Sequence, residues 1–231
     1  LQIDKDSLET SYDSLTTWYS GIRDEVNRRL GESEDKKLFF TPDDAAVAAK
    51  VQAVTDGFSE DVSEQWADFK RMYDWVVGNI EYNSDSRLPW LPSVNGSLSW
   101  YMDYWRMPSE TLGDEVGDCE DMATLLASMI LNYNSSAGYP CWAIRWVSDD
   151  SAHVAVAFPV QGGKLTILDP AGNYYTGTPG SLGSEDVSAA VADWLAHWQP
   201  EPGIRASEVF SDDIYETFAT TAEFVQWALD R

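Results

Sequence analysis

The sequence predicts an α+β fold: one helix packed on an antiparallel sheet, with extra helices at both termini. Three observations lead there. Apolar residues recur at spacings of three and four through most of the first 80 residues and again from Met122 to Ile130, the period of a helix with one buried face. Three short strand-like runs then follow one another at 141–148, 152–160 and 164–169. Helical spacing returns at about 185–198 and 212–230.

The elements follow in order. Leu8, Tyr12, Leu15, Trp18, Ile22, Val26 and Leu30 mark an amphipathic first helix. Thr41-Pro42-Asp43-Asp44 reads as an N-cap, an N1 proline and an acidic first turn, opening a second helix that runs to about Val54. A third spans about Ser59 to Ile80. Residues 83–117 are loop-like, rich in Pro, Gly and Ser, and carry Trp90, Trp100, Tyr101, Tyr104 and Trp105. The next helix opens at Cys119, with Asp118 as N-cap and Gly117 allowing a tight entry, and runs to about Asn132. On it Met122, Leu125, Leu126, Met129 and Ile130 form the core face. Gln161-Gly162-Gly163 is a hairpin turn between the last two strands. A looser Gly-rich stretch ends near Gly183.

Composition bounds the function. The chain has 231 residues, 44% of them hydrophobic and 13% aromatic, enough for one enlarged domain with a sizeable core. Its net charge of −24 should repel nucleic acid and anionic membranes. No run of 18 or more apolar residues occurs, so no direct insertion of this segment into a membrane is expected. The chain opens on Leu1 rather than Met, as a processed form or an excised domain would. An extracytoplasmic setting, within a longer secreted or anchored protein, is the expectation. Oligomeric state is not legible. Two cysteines do not make a disulfide framework, and Cys141 reads as a buried strand residue. Asn95-Gly96-Ser97 and Asn134-Ser135-Ser136 match a short glycosylation pattern of little weight.

The chemistry sits in Gly117-Asp118-Cys119-Glu120-Asp121, Ser151-Ala152-His153 and Leu168-Asp169-Pro170. A thiol nucleophile must react as thiolate, and a helix N-terminus favours an anion. Asp121, three residues after Asp118, also suits the positive helix end. His153 would take the thiol proton and later protonate the leaving amine. Asp169 would hold the imidazole in one tautomer and stabilise its cation. Each residue alone has a structural reading: a small buried Cys, a satisfied strand His, an Asp ending a strand. Cys, His and Asp in this order, on a helix start and two successive strands, can run acyl transfer.

The flanks carry a resemblance. Trp66, Phe69, Tyr73, Val76, Val77 and Ile80 form a helix ending in Ile80-Glu81-Tyr82. Trp105, Pro108, Ser109, Glu110, Leu112 and Gly113 lead into the cysteine. Gly138-Tyr139-Pro140-Cys141-Trp142-Ala143-Ile144-Arg145 follows its helix. Over about residues 66–172 this resembles the transglutaminase-like superfamily, with its papain-like core. The resemblance implies Cys119, His153 and Asp169 as the catalytic set, amide-bond acyl transfer through a thioester, no metal and no cofactor. It implies a protein or peptide substrate, cell-surface or cell-wall peptide included. Microbial members often act as hydrolases, which favours a peptidase or amidase over a transglutaminase. The corresponding division is an N-terminal helical extension at 1–60, a catalytic core at 61–172 and a C-terminal helical extension at 173–231. The long aromatic segment 83–104 departs from the family pattern. Two readings of Trp90, Trp100 and Trp105 stay open: core over the helix–sheet junction, or substrate-binding wall of the cleft.

Rival readings are a catalytically silent binding or scaffold module, and a metal site from Cys119, Cys141, His153 and Asp169. No paired metal-ligand spacing supports the latter. The lone His197 reads as structural or surface. The second oxyanion donor is open: an indole or phenol from 82–105 is the expectation.

Overall fold

A computed structural model describes residues 2–93, 96–198 and 202–231. Helix α1 (Gln2–Arg28) is followed by a 3-10 helix (Ser33–Phe39), α2 (Ala45–Thr55) and α3 (Val62–Asn79). Short strands β1 (Glu81–Tyr82), β2 (Leu88–Trp90) and β3 (Ser99–Tyr101) lead to α4 (Pro108–Asp114), β4 (Val116–Gly117) and α5 (Cys119–Tyr133). Strands β5 (Trp142–Val147), β6 (Ala152–Val160) and β7 (Lys164–Asp169) come next. After them come β8 (Tyr174–Tyr175), β9 (Gly177–Thr178), β10 (Ser181–Leu182) and β11 (Glu185–Asp186). Helix α6 (Val187–His197), β12 (Arg205–Phe210), β13 (Tyr215–Thr217) and α7 (Thr221–Leu229) complete the chain.

The chain divides into two compact units, Leu1–Asp35 with Asp85–Trp105, and Lys36–Ser84 with Arg106–Arg231. The boundaries drawn from the sequence at 60 and 172 both fall inside the second. In the first unit β2 and β3 pair as a hairpin tied to α1. Asn27 donates to the Leu91 carbonyl (2.9 Å) and accepts from the Leu91 N–H (2.8 Å). Trp90 packs on Tyr101 (centroids 6.1 Å apart), Trp100 is 59% exposed, and Trp105 is buried with its backbone N–H on the Arg29 carbonyl.

The second unit is built on an antiparallel sheet, β11-β7-β6-β5-β12-β13, with β8 also on β7. Alternation along the strands sorts its faces. Trp142, Ile144, Trp146, Ala155, Ala157, Leu165 and Ile167 pack with Val187, Trp194 and Phe224 of α6 and α7. On the α5 side, Phe158 meets Phe69 of α3 (4.9 Å), which in turn meets Tyr133 (5.7 Å). The expected strands 152–160 and 164–169 coincide with β6 and β7, and α5 begins at the expected cysteine.

Four expectations change. The second helix starts at Ala45, because Asp44 caps it by accepting from the Ala46 N–H (2.7 Å); Thr41 and Asp44 close a turn before it. Residues 83–117 are not all loop: they hold the β2–β3 hairpin, α4 and β4. Residues 212–230 begin with β13, and only α7 is helical. Strand β12 was not anticipated, since a bulge between Ala206 and Glu208 breaks its period of two. Asn134 is buried, unlike a glycan acceptor, and Asn95 lies outside the described residues. Among the described residues no helix is long and apolar enough to cross a membrane.

Candidate active site

Cys119 is the first residue of α5 and is half-buried. Its position is fixed from both directions. Upstream, β4 runs parallel to β1, pairing Gly117 with Tyr82. Downstream, Asp121 reaches back: its carboxylate accepts from the Asp118 N–H (3.4 Å) and the Arg106 N–H (2.8 Å). The Arg106 guanidinium lies 3.5 Å from the same carboxylate. A Cβ at residue 117 would sit 2.6 Å from the Asp121 Cβ, so glycine there is a packing requirement. Asp121 thus does more than complement the helix dipole; it latches the lead-in strand and the approach to α4 onto α5.

Asp169, at the end of β7, is fully buried. A buried carboxylate needs donors, and four reach it. His153 Nε2 lies 2.8 Å and 2.9 Å from its two oxygens. The Gly172 N–H donates to Oδ1 (2.8 Å), and the indole N–H groups of Trp194 and Trp198 donate to Oδ2 (2.9 Å and 3.0 Å). A side chain at Gly172 would collide with this carboxylate and with Trp198 (2.8 Å and 2.6 Å from an added Cβ). Trp198 also packs on the imidazole, ring centroids 4.1 Å apart, and Trp146 flanks it at 5.8 Å.

His153 is 5% exposed. Burial pulls its pKa down. The hydrogen bond to Asp169, the hydrogen bond to the Cys119 thiol and the two partners' charges outweigh burial and raise it to about 9. Because Asp169 occupies Nε2, Nδ1 is the nitrogen left for the thiol. The thiol also has the Glu120 carboxylate at 3.2 Å, a second acceptor for its proton. Of the three residues read from the sequence, His153 and Asp169 are bonded to each other and Cys119 faces the same cleft as His153. Trp194 and Trp198 were missed: Trp194 lies on α6 and Trp198 is the residue that ends it, and in a sequence a Trp in or beside an amphipathic helix looks like core.

Cys119 and His153 open on a cleft of about 340 Å³ walled by Tyr82, Trp146, Ser151, Ala152, Ala171 and Trp198. Trp146 Nε1 is buried with no hydrogen-bond partner among the described residues. The Tyr82 phenol has a raised pKa, from burial first and then from the charges of Cys119 and Asp118.

Residues 49–176 match the family model described as a transglutaminase-like domain. The chain belongs to that family. Among solved structures, this transglutaminase-like chain is similar to Legionella pneumophila LapG at 17% identity and a TM-score of 0.41, covering 80% of this chain and 96% of that one. Calcium-bound LapG gives 18% identity, a TM-score of 0.41 and coverages of 75% and 88%. A proposed cysteine protease from Cytophaga hutchinsonii gives 16%, 0.36, and coverages of 58% and 38%. No curated protein matches the chain.

Among the described residues, Asp118, Cys119 and Glu120 of this transglutaminase-like domain present possible metal-ligand atoms within 4.8 Å of one another. Cys141 does not join them. It is fully buried in β-sheet surroundings that push its thiol pKa well up, through burial and then the Asp212 charge. The metal site of Cys119, Cys141, His153 and Asp169 is therefore not assembled. His197 keeps its structural reading, bonded through Nε2 to the Gly172 carbonyl (3.0 Å).

Proposed function

We propose that the chain is a cysteine peptidase or amidase that cleaves amide bonds through a thioester at Cys119. The observation that carries this reading is a helix-start thiol and an imidazole facing one cleft, with the imidazole's Nε2 clamped by a buried carboxylate. His153 takes the thiol proton and the sulfur attacks the substrate carbonyl carbon. The carbonyl oxygen gains negative charge, and the Cys119 backbone N–H, at the helix start, is one donor to it. The unpartnered Trp146 N–H in the cleft wall is the second donor we assign. The imidazolium then gives its proton to the leaving amine, and the C–N bond breaks to leave the thioester. Water, deprotonated by His153, attacks the thioester and releases a carboxylic acid and the thiol.

The cleft offers three aromatic side chains beside His153, namely Tyr82, Trp146 and Trp198, and, among the described residues, no lysine or arginine. It suits a peptide with an apolar group beside the scissile bond. Trp90 and Trp100 remain proposed substrate contacts. Trp105, though in the same proposed set, is buried, so its replacement should also cost stability.

The test is to incubate the protein with a peptide library and look for an acyl group on Cys119 by mass spectrometry. The reading predicts a mass adduct on Cys119 that water discharges, and none in Cys119→Ala. Peptide cleavage retained in Cys119→Ala would rule out the thioester. Discharge by added amine faster than by water would make the enzyme a transglutaminase instead.

A further inference from the structure

The end of α5 remote from Cys119 opens on a second cleft, of about 700 Å³, whose walls all belong to the second unit. At 1.5 Å per residue, the 15 residues of α5 set it about 22 Å from the thiol. The walls are acidic. Asp43 comes from the turn before α2, Asp212 and Asp213 from the β12–β13 turn, and Asp230 from the end of α7. Asp213 accepts from the Ser211 hydroxyl (2.6 Å) and Asp230 from the Gln226 amide (3.0 Å). Among the described residues, none of the four carboxylates is in a salt bridge. Arg231 is the one basic side chain in the wall among those residues, and its guanidinium lies over Trp227 at 4.4 Å.

Two further features call for a cation there. Helices α5 and α7 both end at this cleft, with Asn134 and Asp230 as their C-caps. Neither has a basic residue in its last turn to meet the partial negative charge of its carbonyls. Asn134 lines the cleft and is 2% exposed, and its side-chain oxygen has no hydrogen-bond partner among the described residues. A buried acceptor left unpaired costs free energy that a donor recovers.

We propose that this cleft binds a linear diamine or polyamine, an alkyl chain carrying two or more ammonium groups. Size and spacing select that class. A bare metal ion draws its ligand atoms together around it. Among the described residues, no three such groups of this cleft lie within 4.8 Å of one another. Ammonium groups separated by methylenes can each meet a different carboxylate, and one supplies the donor that the Asn134 oxygen lacks. The methylenes lie against Leu131, Pro140 and Ile214, and the half-exposed Tyr139 ring offers a face to an ammonium. The inference is independent of the chemistry at Cys119.

Isothermal titration calorimetry of the whole chain with spermidine tests it, at about 0.02 M salt so that exposed charges are little screened. The expected result is one site per chain. Asp43→Asn with Asp212→Asn should weaken binding at least about tenfold. Asp4→Asn with Asp13→Asn makes the same charge change on α1 and should alter it less than about twofold. Asn134→Ala, with an unchanged circular dichroism spectrum, should weaken it about fivefold or more. Equal losses in the two aspartate pairs would mean that the amine only neutralises net charge, and would overturn the proposal. So would the absence of any binding heat, or calcium chloride binding through Asp43 and Asp212 where spermidine does not. Binding of trilysine in place of spermidine would assign the cleft to a basic protein segment and overturn it too.

Discussion

Asp169 and helix α1 are opposite uses of the same side chains. Around Asp169, two tryptophans, a backbone N–H and a histidine converge on one buried carboxylate. Along α1, Trp18 and Tyr12 stand in solvent. In the first region the aromatic rings supply hydrogen bonds as well as apolar area, and every donor restrains the others. In the second they supply area alone. Over-determination fixes the first, since a buried charge persists only where its surroundings are fixed. The second stays an uncovered stripe.

The contrast can be broken most severely at Asp169. Asp169→Ala leaves the imidazole and two indoles without their acceptor and should cost about 3–5 kcal/mol of folding stability, read from urea denaturation. Asp169→Asn keeps the shape and should keep most of the fold. Its peptidase rate should drop by about 10⁴-fold through the wrong imidazole tautomer. A rate within tenfold of the parent would remove Asp169 from the mechanism.

A milder cut is Trp194→Phe, which keeps an aromatic ring but deletes one donor and part of the buried indole. It should cost about 1–3 kcal/mol, the penalty of an under-satisfied buried acceptor, in the same denaturation assay. No measurable loss would mean that the carboxylate does not depend on α6.

Acidity probes the same region. The folded pKa of His153, raised to about 9, exceeds its ordinary value of 6.5. Folding therefore favours the protonated ring. The stability it contributes is full below about pH 6.5 and is lost as pH rises through about 9. Melting temperature followed from pH 6 to 10 should fall across that window, and more shallowly in His153→Gln. The smallest effect belongs to α1. Leu15→Glu should change the stability of the chain by no more than about 0.5 kcal/mol, as surface substitutions do. A loss several times larger would mean that the stripe is covered by the chain itself.

The sequence showed what is local. Cys119 at a helix start, the Gly162-Gly163 turn and the two strands it joins are readable from neighbours, and so were the partners His153 and Asp169. What it hid depends on distance or irregularity. Trp194 and Trp198 lie 25 and 29 residues beyond the carboxylate they bind, with no pattern linking them to it. The bulge in β12 erased the alternation that would have revealed a strand. The Asp44 cap was mistaken for first-turn acid because Thr41-Pro42 offered an equally good start three residues earlier.

The central claim is that Cys119 and His153 act as one coupled pair held by Asp169. The most direct measurement is an NMR titration of the His153 ring protons in the parent and in Cys119→Ala. The parent should titrate near pH 9, and the variant clearly lower, because the thiol's hydrogen bond and charge no longer raise the pKa while Asp169 still does. The same midpoint in both proteins would contradict the account.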